Sequence, residues 1–239
     1  MDTNTNYVLV HGAFHGGWCW RNVARRLRAR GNQVFTPTLT GLGERAHLRD
    51  IDPDLDTHIA DIVQTLFCED LEDVVLVGHS YAGAVITGVA DCMAHALRRL
   101  VFLDALVLPP DSHVLYAAPA ETQAYYQSLS RESGGSGLIP PPPAQFFGIE
   151  NPAQAAWVEQ HLSPQPLASF MSPLRFTNPP GAGLPVTYIR CTSPQFTEID
   201  NSYARALAMP GWQHLELATG HDAMVSAPEA LAAMLVSIG

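Results

Sequence analysis

The sequence predicts an α/β fold in which a mostly parallel central sheet is flanked by helices and interrupted by an inserted helical cap. Short apolar runs alternate with longer amphipathic ones in the first half and again near the end, as in βα units. Between them lies a segment rich in Pro, Gly and Ser. We therefore expect one core domain formed by residues 1–107 and 184–239, with residues 108–183 as the cap.

The individual elements follow from the period of the apolar residues, which is 2 in half-buried strands and 3.6 in amphipathic helices. Strands are predicted at residues 7–10, 33–36, 74–77, 100–103, 186–191 and 214–217. Core helices are predicted at residues 18–30, 56–69, 80–91 and 228–238. Cap helices are predicted at residues 121–131 and 152–161, on either side of a four-proline run at residues 140–143 and the Gly/Ser-rich stretch before it.

The composition excludes several classes of function. A chain of 239 residues that is 47% hydrophobic and 15% charged can bury a sizeable core. The formal net charge is -10, and the 13 basic residues are all arginine. We therefore expect no nucleic-acid partner, because no basic tract could neutralise a phosphate backbone. Because the sequence contains no lysine, it also lacks the residue needed for a Schiff base, a pyridoxal-phosphate anchor or a Walker motif.

The cysteines and the N-terminus indicate a reduced, cytoplasmic protein. Four cysteines lie far apart without a CxxC pair, which favours structural thiols over a zinc site or a disulfide framework. The stretch MDTNTNYVLVHG has neither the basic nor the apolar region of a signal peptide. We expect no membrane partner, and a homodimer is retained as one alternative for the oligomeric state.

The strongest chemical signal is VVLVGHSYAGAV, in which a buried strand turns into a helix at Ser80. Strand and helix backbones pass close together at such a turn, so small residues are needed near the serine, here Gly78 and Ala82. The turn exposes the Ser80 hydroxyl as a nucleophile, and the backbone N–H of Tyr81 faces the developing oxyanion. The alternative is an ordinary turn that contains Gly and Ser.

A second signal is LATGHDAMVSAPEAL, a loop between the last strand and the terminal helix. His221 in this loop is the predicted general base, since an imidazole can take the serine proton and pass it to the leaving group. We expect most of the ten histidines to be structural. His79 and His11 are as well suited to orienting the backbone by hydrogen bonds as to acting as bases.

Several stretches resemble one family of enzymes. They are HGAFHGGWCW, TPTLTGLGERAHL, LDTHI, VVLVGHSYAGAVI, VFLDAL and TGHDAMVSAPEAL. They are similar to the α/β-hydrolase superfamily, and within it to plant methylesterases, hydroxynitrile lyases and their bacterial esterase relatives. The resemblance implies the α/β-hydrolase fold and a second oxyanion-hole donor in the loop after the first strand, which we place at Ala13. It also implies the chain order nucleophile, acid, histidine.

The acid departs from the family pattern, which usually has it in the loop after the seventh strand. Here that loop is YIRCTSPQFTEID, and Ser193 and Pro194 stand where an aspartate is expected. Glu198 and Asp200 lie further on, where a carboxylate is more simply a helix-capping residue.

Asp104 is the predicted acid, because it ends the otherwise apolar strand RLVFLDALVLPP. A buried aspartate is costly unless it is paired, and His221 would be a suitable partner. Asp222 is adjacent to His221 and so poorly placed to hold its ring. The alternative is that Asp104 is structural and bonds to N–H groups of the cap loop.

These residues together predict a serine esterase or lactonase that acts on a small-molecule ester or lactone through an acyl-enzyme, without a metal or organic cofactor. Apolar side chains are predicted to bind the substrate: Phe14, Phe146, Phe147 and Trp157. Phe170 and Met171 are further candidates, although all the cap side chains among them could equally form the core of the cap.

Three alternatives remain. The lyases replace Gly12 by threonine and follow the catalytic histidine with lysine, where this chain has Asp222, so both positions favour the esterase. The same Ser/His site could also tailor a polyketide by lactone opening or cyclisation. The third alternative is a non-catalytic receptor on the same scaffold.

Overall fold

A parallel sheet of six strands forms the centre of the computed structural model, which describes residues 4–117, 120–132 and 137–239. The strand order across the sheet is β2-β1-β3-β4-β7-β8, and β5 pairs with β6 in a separate two-stranded sheet. The strands are β1 (Asn6–Val10), β2 (Gln33–Phe35), β3 (Val74–His79), β4 (Leu97–Leu103), β5 (Leu138–Ile139), β6 (Gln165–Pro166), β7 (Val186–Cys191) and β8 (Gln213–Leu217).

Helices cover the sheet, so the central strands β3 and β7 are buried along their whole length. This arrangement confirms the predicted α/β-hydrolase fold class. The helices are α1 (Arg21–Arg28), α2 (Leu55–Cys68), α3 (Ala82–Met93), α4 (Ala120–Glu132), α5 (Pro152–Glu159), α6 (Leu167–Met171), α7 (Asp200–Leu207), α8 (Ala223–Ser226) and α9 (Pro228–Ile238).

Some element boundaries differ from the prediction for identifiable reasons. The helix predicted to begin at residue 18 starts at Arg21, because Gly17–Trp20 form a 3-10 turn. The helix predicted to begin at residue 80 starts at Ala82, because Ser80 has a left-handed backbone with φ +53°. Strand β4 begins at Leu97, three residues before the predicted start, because two arginines after Leu97 interrupt the apolar pattern.

Residues 108–183 lie in sequence between β4 and β7, and the described part of this segment adds no strand to the six-stranded sheet. It contains helices α4, α5 and α6 and the β5–β6 pair. The predicted Gly/Ser-rich stretch falls partly on residues 133–136, which lie outside the described residues. The division into core and cap stays a prediction. None of the helices described is long and apolar enough to cross a bilayer.

The sheet register brings the ends of three neighbouring strands to one level. His79 at the end of β3 pairs with Leu103 at the end of β4, which in turn pairs with Ile189 in β7. Ser80 and Asp104 therefore leave adjacent parallel strands at corresponding positions. The carboxyl edge of the sheet is where open α/β sheets place their binding sites.

Candidate active site

Ser80 occupies the sharp turn between β3 and α3. Its backbone is left-handed, a conformation that is strained for a residue with a side chain. The turn is held on both sides, because the Ser80 N–H donates to the carbonyl of Leu103 (3.2 Å) and the Ser80 carbonyl accepts from the N–H of Leu106 (2.9 Å). These bonds connect the turn to the segment that follows β4.

Close backbone contacts explain the small residues around this turn. A Cβ atom added to Gly78 would lie 2.7 Å from the carbonyl oxygen of Ala82 and 2.9 Å from side-chain atoms of Ile86. At Gly83 the added Cβ would lie only 2.1 Å from the carbonyl oxygen of Leu106. Gly83 is therefore sterically restricted as well, which the serine motif alone does not indicate, whereas Ala82 is accommodated with its methyl group buried.

His221 and Asp104 form a buried hydrogen-bonded pair. Nδ1 of His221 lies 2.7 Å from Oδ2 of Asp104, and both side chains are buried. With a carboxylate as acceptor, Nδ1 carries the proton, which leaves Nε2 free to accept one. In the described part of the chain, this is the carboxylate that bonds to the ring of His221.

Strand β7 holds the other oxygen of Asp104. Oδ1 accepts the backbone N–H of Cys191 at 3.0 Å and faces the guanidinium of Arg190 at 3.4 Å. Arg190 is itself buried and also contacts Asp200. A buried carboxylate with hydrogen bonds to both oxygens and a cationic neighbour avoids most of the cost of an unpaired buried charge.

The other carboxylates considered from the sequence lie elsewhere. Asp200 contacts Arg190 and accepts a hydrogen bond from Gln195 (3.1 Å), so it supports the site from behind Asp104. Glu198 is exposed at the wall of the cavity that contains Ser80. Asp222 bonds to Nε2 of His15 at 3.0 Å and not to the ring of His221.

Ala13 and Tyr81, the predicted oxyanion-hole residues, line the same cavity as Ser80 and His221. The loop that carries Ala13 is tightly fixed. Phe14 has a left-handed φ of +67°, and its N–H donates to Oε1 of the buried Gln165 in β6 (2.9 Å). Gln165 was not found in the sequence analysis, because a contact across 151 residues leaves no local pattern.

His11 and His79 hold the backbone, as the sequence analysis allowed. Nε2 of His11 accepts the N–H of Leu39 at 3.0 Å, and its Nδ1–H donates to the carbonyl of Gly12 at 2.8 Å. Nε2–H of His79 donates to the carbonyl of His221 at 3.0 Å. Burial lowers the pKa of His11 to about 3 and the pKa of His79 well below its usual value, so both rings are neutral at pH 7.

Aromatic side chains enclose the cavity, which has a volume of about 130 Å³. The predicted Phe14, Phe146 and Phe147 line it. Further aromatic residues of its wall are Tyr126, Phe170 and Phe196. The ring of Phe196 stacks on that of His221 with centroids 4.0 Å apart. The loop that lacks the usual acid thus contributes an aromatic ring against the histidine.

Trp157 is a correction, because it does not line the cavity that contains Ser80. Its ring packs against Trp18 (5.1 Å between centroids) and His161 (5.0 Å), beneath the guanidinium of Arg21. Helix α5 points this side chain toward the N-terminal loop, so aromatic character alone was misleading. Met171 is also absent from the cavity wall and is half-buried against the core.

The cysteine thiols form neither a disulfide nor a metal site in the described part of the chain. The four cysteines are unpaired, with Cys19 and Cys191 buried and Cys68 and Cys92 exposed. Among the described residues, no group of three or more His, Cys, Asp or Glu side chains is arranged to hold a metal ion.

Comparison with known proteins agrees with this architecture. The model of the alpha/beta hydrolase family matches residues 7–234. A carbendazim-hydrolysing esterase from Nocardioides sp. is 40% identical and covers 98% of this chain and 99% of its own. Salicylic acid-binding protein 2 from Nicotiana tabacum is 28% identical over 100% of this chain and 98% of its own.

Solved structures show the same fold at lower identity. An extracellular alpha/beta-hydrolase from a Paenibacillus species superposes with a TM-score of 0.84 at 23% identity, covering 98% of this chain and 99% of its own. A methylesterase from Arabidopsis, MES16, gives a TM-score of 0.73 at 24% identity, covering 98% of each chain. The chain therefore belongs to the alpha/beta hydrolase family, as an enzyme of the esterase type.

Proposed function

We propose that the protein hydrolyses a small carboxylic ester or lactone through an acyl-enzyme formed on Ser80. The observation that carries this proposal is the 2.7 Å hydrogen bond between His221 and Asp104, on the cavity that also exposes a strained Ser80. A serine, a correctly polarised histidine and a buried carboxylate are the parts needed for acyl transfer.

The reaction proceeds in two steps. Oγ of Ser80 attacks the ester carbonyl while Nε2 of His221 takes the hydroxyl proton, and that proton then passes to the leaving alkoxide as the C–O bond breaks. Water, deprotonated by the same nitrogen, then attacks the acyl carbon. The bond from this carbon to Oγ of Ser80 breaks, the proton passes from Nε2 back to Oγ, and the acid is released. Asp104 keeps Nδ1 protonated and stabilises the transient imidazolium, and the N–H groups of Ala13 and Tyr81 stabilise the oxyanion.

The size and walls of the cavity favour compact substrates. Its volume of about 130 Å³ is small beside the ~300–1,000 Å³ of pockets for drug-sized ligands. Its aromatic lining favours an apolar or aromatic group over a charged one. The relative named for carbendazim hydrolysis makes carbendazim the first defined compound to test, beside simple short-chain esters.

The surroundings of Gly12 argue against the lyase alternative. A Cβ atom at this position would lie 2.8 Å from Nδ1 of His79 and 3.0 Å from Cβ of Ser80. His79 is the last residue of β3, and Ser80 stands in the hydrogen-bonded turn after it, so a threonine could enter only if this turn moved. This chain is therefore packed for glycine at the position where the lyases carry threonine.

The test is labelling by a fluorophosphonate probe with intact-mass detection, in parallel with turnover of p-nitrophenyl acetate and butyrate. We expect one label on the wild type, none on Ser80→Ala, and full labelling of Ser237→Ala, a control at an exposed serine of α9. A folded wild type that neither reacts with the probe nor turns over any ester would contradict the proposal and favour the receptor alternative.

A further inference from the structure

A second buried pair of a histidine and an aspartate lies directly beside the first. Nε2 of His15 is 3.0 Å from Oδ2 of Asp222, and Nδ1 of His15 is 2.7 Å from the carbonyl oxygen of Ala13. His15 is 1% exposed and Asp222 is fully buried. The mechanism described above uses neither side chain.

The hydrogen-bond partners determine the proton count of this pair. The carbonyl of Ala13 can only accept, so Nδ1 of His15 carries a proton. A carboxylate at Asp222 also only accepts, so Nε2 must carry a second proton. Both hydrogen bonds are satisfied together when the ring is an imidazolium. The buried pair is then neutral overall and holds one proton more than a neutral histidine beside a carboxylate.

Among the residues that the structure describes, no other charged group competes for this proton. The groups that face the pair from neighbouring elements are His79 at the end of β3, His11 at the end of β1, His221 in the adjoining loop, and the thiols of Cys19 and Cys191. Burial keeps His79 and His11 neutral by lowering their pKa values, and burial raises the pKa of both thiols, so they stay protonated. Nε2 of His79 is 3.8 Å from Oδ1 of Asp222, an oxygen without a hydrogen-bond partner.

The pair joins the two loops on which the proposed reaction depends. His15 fixes the carbonyl of Ala13 in the oxyanion loop, whereas Asp222 follows His221 directly and donates its backbone N–H to the carbonyl of Phe147 (3.1 Å). This buried contact therefore ties the oxyanion loop to the loop of the general base, in addition to the bonds that Gln165 and His79 make to each loop separately. Because displacements of about 1 Å can be costly in catalysis, such a contact can matter without touching substrate.

We propose that His15 and Asp222 are positioning residues, whose shared proton locks the oxyanion loop against the His221 loop. This inference rests on the proposed hydrolase function. When one proton is lost, the remaining N–H stays on Nε2 beside the buried carboxylate, so the Nδ1 lone pair faces the carbonyl oxygen of Ala13. The two repel each other, and the oxyanion loop loosens.

The lock is therefore released at alkaline pH. Burial alone would lower the pKa of His15, but the Asp222 carboxylate and the hydrogen bonds to Asp222 and Ala13 outweigh it and raise the pKa above the usual value of 6.5. We expect the kcat of the wild type to fall on the alkaline side of its pH profile, with an apparent pKa above 6.5.

Two substitutions at one position separate the shared proton from the hydrogen bonds. Asp222→Asn supplies an amide N–H to a neutral His15, so both hydrogen bonds of the ring survive without the extra proton. Asp222→Ala removes the partner altogether. We expect kcat of Asp222→Asn to stay within about threefold of the wild type and to lose the alkaline decline. We expect kcat of Asp222→Ala to fall about 10- to 100-fold with little change in KM, less than the ~10²–10³ seen when an oxyanion donor is deleted.

The result that would overturn the proposal is an Asp222→Asn variant that is as impaired as Asp222→Ala, or that keeps the alkaline decline of the wild type. An Asp222→Ala variant with unchanged kcat would also overturn it. Circular dichroism and thermal unfolding establish that each variant is folded before its kinetics are compared.

NMR spectroscopy shows whether both ring nitrogens of His15 carry a proton, independently of turnover. In protein labelled with ¹⁵N-histidine, we expect two ring N–H signals from His15 in the wild type at pH 7 and only the Nδ1–H signal in Asp222→Asn. The signals are assigned with His15→Gln. If the wild type turns over no ester but shows both signals, the proposed function fails and the buried proton stands. If Nε2 of His15 carries no proton at pH 7, the lock is wrong whatever the activity.

Discussion

Replacing Asp104 by asparagine tests the acid of the triad with almost no change in shape. Asparagine can keep Oδ1 as acceptor for the N–H of Cys191 (3.0 Å) and for Arg190 (3.4 Å), so the end of β4 stays in place. Its amide NH₂ then takes the position of Oδ2 and points a donor at Nδ1 of His221, at the present distance of 2.7 Å.

Two donors cannot share one hydrogen bond, so the His221 proton moves to Nε2, the nitrogen that must accept the proton of Ser80. The general base is then lost although every residue is in place. By analogy with the triad aspartate of a serine protease, we expect kcat to fall about 10⁴-fold, or roughly 5 kcal/mol of transition-state stabilisation. The assay is kcat/KM for p-nitrophenyl acetate, with active sites counted by the fluorophosphonate label.

Asp200→Asn is the matched control, because Asp200 also contacts Arg190 but does not touch His221. We expect it to lose less than about tenfold. The assignment of the acid is wrong if Asp104→Asn keeps more than about a tenth of the wild-type kcat. It is equally wrong if Asp200→Asn or Glu198→Gln shows the larger loss.

Three further outcomes follow from packing and from buried histidine. Gly83→Ala places a Cβ 2.1 Å from the carbonyl oxygen of Leu106, so we expect urea unfolding to show a loss of about 1–3 kcal/mol, and an unchanged midpoint would contradict this. Phe147→Leu should raise KM for p-nitrophenyl butyrate roughly three- to tenfold, whereas Trp157→Leu should leave KM within twofold of the wild type. A larger effect of Trp157→Leu than of Phe147→Leu would show that Trp157 does contact the substrate. The pKa of His11 is about 3 when folded and about 6.5 when unfolded, so the unfolded chain binds more protons as pH falls. Its contribution to the unfolding free energy is lost below pH 6.5 at up to ~1.4 kcal/mol per unit, and urea titrations at pH 7, 6 and 5 should give a flatter slope for His11→Gln than for the wild type.

The fold class could be predicted from the sequence because each pattern that indicates it lies within a short stretch of the chain. The alternation of apolar runs predicted the parallel sheet, and a glycine two residues before Ser80 indicated the tight turn. Asp104 stood out since it is the one carboxylate at the end of an apolar strand. The structure places it beside His221, and its catalytic role stays a prediction.

The features that the sequence did not predict all depend on contacts between segments that are distant in the chain. His15 and Asp222 are 207 residues apart, and neither residue suggests the other. Trp157 was assigned to the substrate because aromatic residues in a cap often bind ligands, but the direction in which α5 points cannot be read from its sequence. Gly83 was overlooked because the Leu106 backbone that restricts it belongs to another segment.

The position of Asp104 has a consequence for how this enzyme could change. Its carboxylate stands on the strand next to the one that carries the nucleophile, at a spacing fixed by the ladder of the sheet. With Asp104 as the proposed acid, the segment after β7 need not supply a carboxylate to His221, and it contributes Phe196 and Glu198 to the cavity wall. Glu198 lies on this wall without contacting the pair of His221 and Asp104, whereas Phe196 stacks on the ring of His221, so Glu198 is the first position to vary in directed evolution of selectivity.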